Sequence, residues 1–176
     1  MQAEIITIGD ELLIGQVVDT NSAWLGRTLG EDGIKVTQIT SIQDDADQIS
    51  RTVNEALARV SIVLVTGGLG PTRDDITKHT LAELFGMRLV RDEQVYETVR
   101  RQLAVRGIAF NELNRGQALV PDGCTVLPNR NGTAPGMWFE RGGKILVSMP
   151  GVPFEMKALV TDEVLPRLRT HFSLHA

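Results

Sequence analysis

Short apolar runs separated by polar segments recur along the chain at the spacing of alternating strands and helices. Residues 4–8 form a β-branched run that ends at Gly9, residues 34–42 alternate Val, Thr and Ile, and residues 61–66 are almost continuously apolar. These three segments are predicted strands. Because the third is apolar on both faces, we expect it at the centre of a parallel sheet that is covered on both sides.

A segment with apolar residues at helical spacing follows each of these strands. The first helix is predicted within residues 20–30, the second within residues 44–60, and the third within residues 76–86. The apolar stripe of the third helix begins at Ile76, which we expect to be buried. Strands that alternate with helices in this way predict a mostly parallel sheet with helices on both faces.

The second half of the chain departs from this regular alternation. A charged helix is expected within residues 91–114, and residues 137–140 and 144–148 are spaced as the two strands of a hairpin. A last helix is predicted to begin at Pro153, and Pro166 should kink or split it. The predicted fold class is therefore α/β: a three-layer α/β/α sandwich, mostly parallel with an antiparallel edge hairpin, in one domain that spans residues 1–176.

Composition excludes several classes of protein. The chain has 176 residues, of which 42% are hydrophobic, and a formal charge of −4, so we expect a packed core and no general attraction to nucleic acid or membrane. It has no apolar run near the roughly 20 residues of a membrane span and no signal peptide, so a cytoplasmic location is expected. Its single cysteine, Cys124, excludes an internal disulfide and a cysteine-based zinc site.

Candidate chemistry is concentrated after the strands. In an open parallel sheet, ligands bind at the carboxyl ends of the strands. Glycines and carboxylates follow four of the predicted strands. Gly9, Asp10 and Glu11 follow the first strand, Asp44 and Asp45 the second, residues 66–75 the third, and residues 149–151, with Pro150 and Gly151, the last. We therefore expect these residues to meet at one edge of the sheet.

The most specific of these segments is a glycine-rich turn between a buried strand and a helix. Its backbone amides and the start of the following helix are suited to bind phosphate. The candidate residues for this role are Thr66, Gly67, Gly68, Gly70, Thr72 and Arg73. The spacing matches neither a Walker loop nor a dinucleotide fingerprint. The alternative is a turn shaped only by folding, with Asp74 or Asp75 as the helix cap.

Aspartates beside a phosphate site would repel the ligand unless a cation lies between them. Magnesium or manganese prefers such hard oxygen ligands, which makes Asp44, Asp74 and Asp75 the candidate metal ligands. Asp44 and Asp75 are also the candidate catalytic residues. The alternative for Asp44 and Asp45 is that they cap the helix that follows, which is the better explanation for Asp45. Arg73 and Lys78 are each either a phosphate contact or an ordinary surface charge.

Three further segments supply candidate substrate contacts. Asp10 and Glu11, near Gly9, are placed to hold a ribose, or else they cap a turn. Thr133 belongs to the turn-rich segment 129–136, which either lines the cleft or only connects two elements. Pro150 and Gly151 complete the candidate substrate site.

The motifs that carry this site resemble the N-terminal domain of the CinA family of competence/damage-inducible proteins. The resemblance rests on residues 8–13, 15–21, 66–75, 131–136 and 149–156 and covers nearly the whole chain. The chain is also similar, more distantly, to the MoaB/Mog group of molybdopterin-binding proteins. In that group the glycine loop ends in a functional aspartate, and the resemblance assigns that position to Asp75 and a second acidic position to Asp44.

The resemblance implies hydrolysis of ADP-ribose to AMP and ribose 5-phosphate, with a divalent cation (magnesium, manganese or cobalt) and potassium. Leu69 stands where the Mog-type loop has threonine, which disfavours adenylylation of molybdopterin. The resemblance also implies a homo-oligomer, either a dimer or a trimer. Residues 1–176 match only the N-terminal domain, so the deamidase activity of longer CinA proteins is not expected.

Three hypotheses remain open at this point. The first is a metal-dependent pyrophosphohydrolase that acts on a small-molecule nucleotide. The second is a module that binds molybdopterin or a nucleotide without catalysis. The third is an assembly unit whose cleft has lost its ligand.

Overall fold

The computed structural model describes residues 1–69 and 74–174. These ranges contain eight strands and eight α-helices. The strands are β1 (Gln2–Ile8), β2 (Lys35–Ile42), β3 (Ile62–Gly67), β4 (Leu89–Arg91), β5 (Leu119–Pro121), β6 (Thr125–Leu127), β7 (Gly136–Arg141) and β8 (Lys144–Met149). The helices are α1 (Asp10–Leu13), α2 (Thr20–Glu31), α3 (Ala46–Arg59), α4 (Asp74–Leu84), α5 (Glu93–Val105), α6 (Glu112–Arg115), α7 (Pro153–Leu159) and α8 (Leu165–His171). None of these helices is both long and apolar enough to cross a membrane.

Six strands form one mixed sheet in the order β2-β1-β3-β8-β7-β6. The first four of these are parallel, and β7 and β6 continue the sheet antiparallel at one edge. The predicted α/β class and the antiparallel hairpin of β7 and β8 are therefore confirmed. Strand β3 is central, as its continuous apolar pattern predicts, since β1 and β8 flank it.

Alternate residues of β3 enter two separate cores. Leu64 packs in the core that α2, α7 and α8 cover, and Val63 and Val65 pack in the core that α3 and α4 cover. Burying each of these side chains contributes roughly 1.5–3 kcal/mol. The sheet is thus the middle layer of three, which confirms the predicted sandwich.

A smaller unit flanks the sandwich and was not predicted as such. Strands β4 and β5 pair antiparallel, and α5 packs on them through a third apolar cluster that includes Val95, Val99 and Val120. The spacing of Val95, Val99 and Leu103 in the charged helix predicts that these side chains face inward, and all three are buried in this cluster. Strands β4, β5 and β6 were missed because each is three residues long, too short for a periodic signal.

Two local predictions had different outcomes. Ile76 was predicted to be buried, but 42% of it is exposed, because it lies on the outer face of α4. Pro166 does interrupt the last helix, since a π-helical turn at Val160–Val164 separates α7 from α8. The interruption has a physical reason: proline has no backbone N–H for the helical hydrogen bond.

Candidate functional site

The carboxyl ends of the parallel strands lie side by side. Ile8 at the end of β1 pairs with both Ile42 and Gly67, and Thr66 pairs with Met149 at the end of β8. The Gly9 amide donates to the Ile42 carbonyl over 3.1 Å and so joins the segments that follow β1 and β2. The segments that carry the predicted site residues therefore begin at one edge of the sheet.

The glycine turn at the end of β3 is packed closely against its neighbours. Gly67 and Gly68 have positive φ angles of 87° and 70°. A Cβ atom on Gly67 would lie 2.2 Å from the Ile8 carbonyl oxygen, and one on Gly68 would lie 2.3 Å from Oγ1 of Thr77. Glycine is thus required at both positions by packing within the protein, whether or not phosphate binds there.

Asp44 is connected to this glycine turn through Thr77, which packs against Gly68. It is half-buried in the short link between β2 and α3, and its Oδ1 accepts a hydrogen bond from the Thr77 hydroxyl at 3.3 Å. Thr77 is in the first turns of α4, two residues after Asp75. Asp45, in contrast, is exposed and caps α3 by accepting from the Gln48 amide, as predicted.

The turn after β8 also contacts the glycine turn. A Cβ atom on Gly151 would lie 3.2 Å from the Cα of Gly67, and Pro150 before it is buried. The Asn21 side chain fixes this turn from α2, because its Nδ2 donates to the Gly151 carbonyl over 2.9 Å. The Oδ1 atom of Asn21 is buried and has no hydrogen-bond partner within residues 1–69 and 74–174.

A pocket of about 100 Å³ opens between these segments. Four of the predicted site residues line it, namely Glu11, Thr66, Gly67 and Gly151, together with Asn21 and apolar side chains that include Val17 and Val18. Ligand pockets commonly measure roughly 300–1,000 Å³. This pocket can therefore hold only part of a nucleotide.

Asp10 and Glu11 begin the short helix α1, and both are exposed. The Glu11 carboxylate folds back over Gly9, where a Cβ atom would lie 2.4 Å from Glu11 Oε1. Gly9 itself is buried. Glu11 is therefore on the wall of the pocket, whereas Asp10 is not among the residues that line it.

Thr133 lines a different pocket, of about 610 Å³, between its own loop and α5. Asn129 fixes this loop by donating to the Ala134 carbonyl at 2.8 Å and to Glu155 Oε1 at 2.7 Å. Glu155 is in α7, four residues after Gly151. The structure thus connects the Thr133 loop to the turn after β8 but places Thr133 outside the pocket beside Gly67.

Lys78 is buried, with 4% of its surface exposed, so it is not an ordinary surface charge. Its Nζ donates to the Gly116 carbonyl at 2.9 Å, which ties α4 to the segment before β5. His79, the next residue, is exposed.

The metal prediction falls largely on side chains that the structure does not describe. Gly70, Thr72 and Arg73 lie outside the described residues, as do the side chains of Asp74 and Asp75. Among the described side chains, no three of the His, Cys, Asp and Glu type are grouped closely enough to hold a metal ion. The predicted set of Asp44, Asp74 and Asp75 therefore stays a prediction.

Cys124 is half-buried. Burial raises the pKa of its thiol to about 12, which makes the nucleophilic thiolate scarce near neutral pH.

Two residues of the site were missed by sequence reasoning. Neither Thr77 nor Asn21 was among the predicted site residues, and Asn21 or Thr20 was predicted to cap the first helix. Thr77 contacts Asp44, and Asn21 contacts Gly151. The partners in each pair are far apart in the sequence, so helical spacing cannot reveal these contacts. The cap of α2 is in fact Asp19, whose side chain accepts from the Ser22 amide.

Comparison with known proteins places the chain among CinA-like proteins. It is 49% identical over 170 residues to a CinA-like protein of Cytophaga hutchinsonii, which covers 97% of this chain and 41% of that protein. A CinA-like protein of Flavobacterium psychrophilum is 46% identical over 169 residues, covering 96% of this chain and 40% of that protein. The chain thus spans about two fifths of the length of the curated relatives that it matches.

Solved structures agree with this placement. The crystal structure of CinA from Thermoplasma acidophilum, a protein described as having unknown function, superimposes with a TM-score of 0.85 at 35% identity and covers 94% of this chain and 96% of that one. The molybdopterin biosynthesis enzyme MoaB from Thermus thermophilus shares the fold, with a TM-score of 0.64 at 21% identity over 98% and 94% of the two chains.

The family match spans nearly the whole sequence. Residues 4–170 match the family described as a probable molybdopterin binding domain. This range includes every strand of the sheet except the first two residues of β1, together with all the segments at its carboxyl edge. The chain therefore belongs to the family described as a probable molybdopterin binding domain and, within it, is a CinA-type domain.

Proposed function

We propose that this domain is a metal-dependent nucleotide pyrophosphohydrolase that converts ADP-ribose to AMP and ribose 5-phosphate. The observation that carries the proposal is the position of the Asp44 carboxylate, which Thr77 of α4 contacts by a hydrogen bond, because the same Thr77 side chain packs against Gly68. The identity of the substrate comes from the resemblance to CinA proteins.

The start of α4 offers an environment for an anion. Helix α4 has eleven residues, and the N-terminus of a helix carries partial positive charge and unpaired backbone amides. The glycine turn leads into this helix. A phosphate of the substrate would bind here, on the helix whose Thr77 contacts the Asp44 carboxylate.

The pocket lined by Glu11, Thr66 and Gly151 would hold the adjoining sugar. Glu11 supplies a carboxylate that can accept hydrogen bonds from ribose hydroxyls. The pocket is too small for the whole dinucleotide, so the rest of the substrate would extend over the edge of the sheet. Binding at two points would orient the pyrophosphate group relative to Asp44.

A divalent cation fits the chemistry of these residues, because aspartate oxygens are the ligands that magnesium and manganese prefer. Asp44, Asp74 and Asp75 would hold it. The cation would supply neutralisation of the negative charge on the pyrophosphate oxygens. In the hydrolysis, a water oxygen adds to one phosphorus atom and the bridging P–O bond breaks, while Asp44 accepts the proton from that water.

Incubation of the purified chain with ADP-ribose and magnesium, manganese or cobalt tests the proposal, with AMP and ribose 5-phosphate measured by phosphorus NMR. We expect turnover by the wild type and a loss of about 100-fold or more in Asp44→Asn and Asp75→Ala, the usual size for a general base or an electrostatic contact. Asp47→Asn, at an exposed position in α3, is the matched control and should keep full activity.

An absence of turnover by the wild type with all three cations would refute the hydrolase proposal. Full activity in Asp75→Ala would refute the role of the acidic residues. An equal loss in Asp47→Asn would show that the effect of Asp44→Asn is one of general charge rather than of the site.

The second candidate is a binding module without catalysis. It is favoured by the family description, which names molybdopterin binding rather than hydrolysis. Calorimetry with ADP-ribose and with molybdopterin separates the two candidates. Tight binding with no product after long incubation would favour the module, and binding of neither ligand would leave the third hypothesis, an assembly unit.

A further inference from the structure

Thr77 contacts two parts of the candidate site, the Asp44 carboxylate and the glycine turn. It lies on α4, is completely buried, and donates its hydroxyl proton to Asp44 Oδ1, because an ionised carboxylate can only accept. The two residues are 33 positions apart in the sequence, so the bond joins α4 to the segment that follows β2.

The same hydroxyl fills the space beside Gly68. The Thr77 Oγ1 and Cβ atoms lie 2.3 Å and 3.3 Å from the place where a Cβ on Gly68 would be. The hydroxyl is therefore in contact with both Gly68 and the Asp44 carboxylate. Because Thr77 is completely buried, a hydroxyl that left this acceptor would have no water to replace it.

Thr80, one turn further along α4, shows what a buried threonine on this helix otherwise does. Its hydroxyl donates to the Ile76 carbonyl at 2.6 Å, within its own helix, which is the common local pattern for threonine. Thr77 instead bonds to a different element. The difference points to a task at the site rather than in the helix.

We propose that Thr77 is a positioning residue that holds the Asp44 carboxylate beside the glycine turn. Its effect on turnover rests on the proposed hydrolysis, whereas its effect on Mn²⁺ binding and on stability does not require turnover. Partners that orient a carboxylate ligand typically change metal affinity or activity by about 10- to 100-fold when they are removed.

The test compares Thr77→Val, which keeps the shape and removes the donor, with Thr77→Ser, which keeps the donor. Thr80→Val is the matched control on the same helix. Titration of each full chain with Mn²⁺ alone, followed by electron paramagnetic resonance, measures affinity without substrate, and ADP-ribose turnover is measured separately.

We expect Thr77→Val to weaken Mn²⁺ binding and lower kcat/KM by about 10- to 100-fold. Thr77→Ser should stay close to wild type, and Thr80→Val should not differ from it. Wild-type behaviour of Thr77→Val in both assays overturns the inference. An equal loss in Thr77→Ser also overturns it, since the donor would then not be the cause.

If the wild type neither binds Mn²⁺ nor hydrolyses ADP-ribose, the proposed function is refuted, but the positioning role of Thr77 is not. A double-mutant cycle tests that role independently. Urea unfolding of Asp44→Ala, Thr77→Val and the double variant measures the coupling between the two side chains. The double variant should lose less stability than the sum of the single losses. Additive losses would show that the two residues are not coupled and would overturn the positioning role.

Discussion

Two glycine pairs with the same sequence and similar backbone conformation have different surroundings. Gly67 and Gly68 at the end of β3 have φ angles of 87° and 70°, and Gly142 and Gly143 in the β7–β8 hairpin have angles of 58° and 77°. Added Cβ atoms at the first pair would lie 2.2 Å and 2.3 Å from protein atoms. At the second pair they would meet nothing within 4 Å.

The comparison shows two different reasons why a turn requires glycine, and the sequence alone cannot distinguish them. The hairpin needs glycine only because side chains disfavour the left-handed conformation. The turn after β3 needs it also because the backbone of β1 and the side chain of α4 approach closely. This turn lies at the carboxyl edge of the sheet, which is where ligands bind in folds of this kind.

The largest effect is expected from Gly67→Ala. The new Cβ would clash with the Ile8 carbonyl, which belongs to a central strand and cannot move aside. Strain and overpacking together should lower the free energy of unfolding by about 3–5 kcal/mol. Urea unfolding measures the loss. An effect no larger than that of Gly143→Ala would contradict the contrast between the two pairs.

A somewhat smaller effect is expected from Gly68→Ala, about 2–4 kcal/mol, because the clash is with a side chain rather than with backbone. Combining it with Thr77→Ala removes the hydroxyl that the new Cβ meets and should recover part of the loss. Complete recovery is not expected, since the positive φ of Gly68 remains. No recovery in urea unfolding would show that Thr77 is not the obstacle.

Gly151→Ala should have a moderate effect, because the Cβ would lie 3.2 Å from the Cα of Gly67 without a clash as severe as the two above. We expect a loss of about 1–2 kcal/mol from overpacking. The substitution should also weaken nucleotide binding measured by calorimetry, since Gly151 lines the pocket. Unchanged binding would separate the turn after β8 from the site.

The smallest effects are expected in the hairpin. Gly143→Ala should cost about 1 kcal/mol, the strain of the left-handed conformation alone. Gly142→Asn should cost less, because asparagine tolerates this conformation. Neither substitution should change ADP-ribose turnover or Mn²⁺ binding. A change in either would show that the hairpin communicates with the opposite part of the sheet.

Much of the architecture was predictable because long elements carry a periodic signal. The continuous apolar run of β3 and the helical spacing in α2 and α3 predicted their positions to within a few residues, whereas the helix predicted within residues 91–114 ends at Val105. The three-residue strands β4, β5 and β6 carry no such signal. The exposure of Ile76 was also missed, since it depends on which face of α4 meets the sheet.

The candidate site was predictable in outline for a related reason. Parallel strands place their carboxyl ends together, so residues that follow Ile8, Ile42 and Thr66 were expected to meet, and the ends of these strands do lie side by side. The bond from Thr77 to Asp44 was not predictable. It depends on the distance between two elements after packing, which no local pattern encodes.

The order of apolar and polar residues alone determined the layers of this protein, its central strand and the edge of the sheet that the glycine-rich and acidic segments follow. The reason is that apolar side chains are buried wherever they occur, so their spacing along the chain shows which face of each helix or strand is covered. Only the tertiary structure decided which glycines are enclosed, that Asn21 holds the turn after β8, and that Thr133 faces a separate pocket. Contacts between elements over a few ångströms arise from the packing of whole helices against the sheet, so they exist only once the chain has folded.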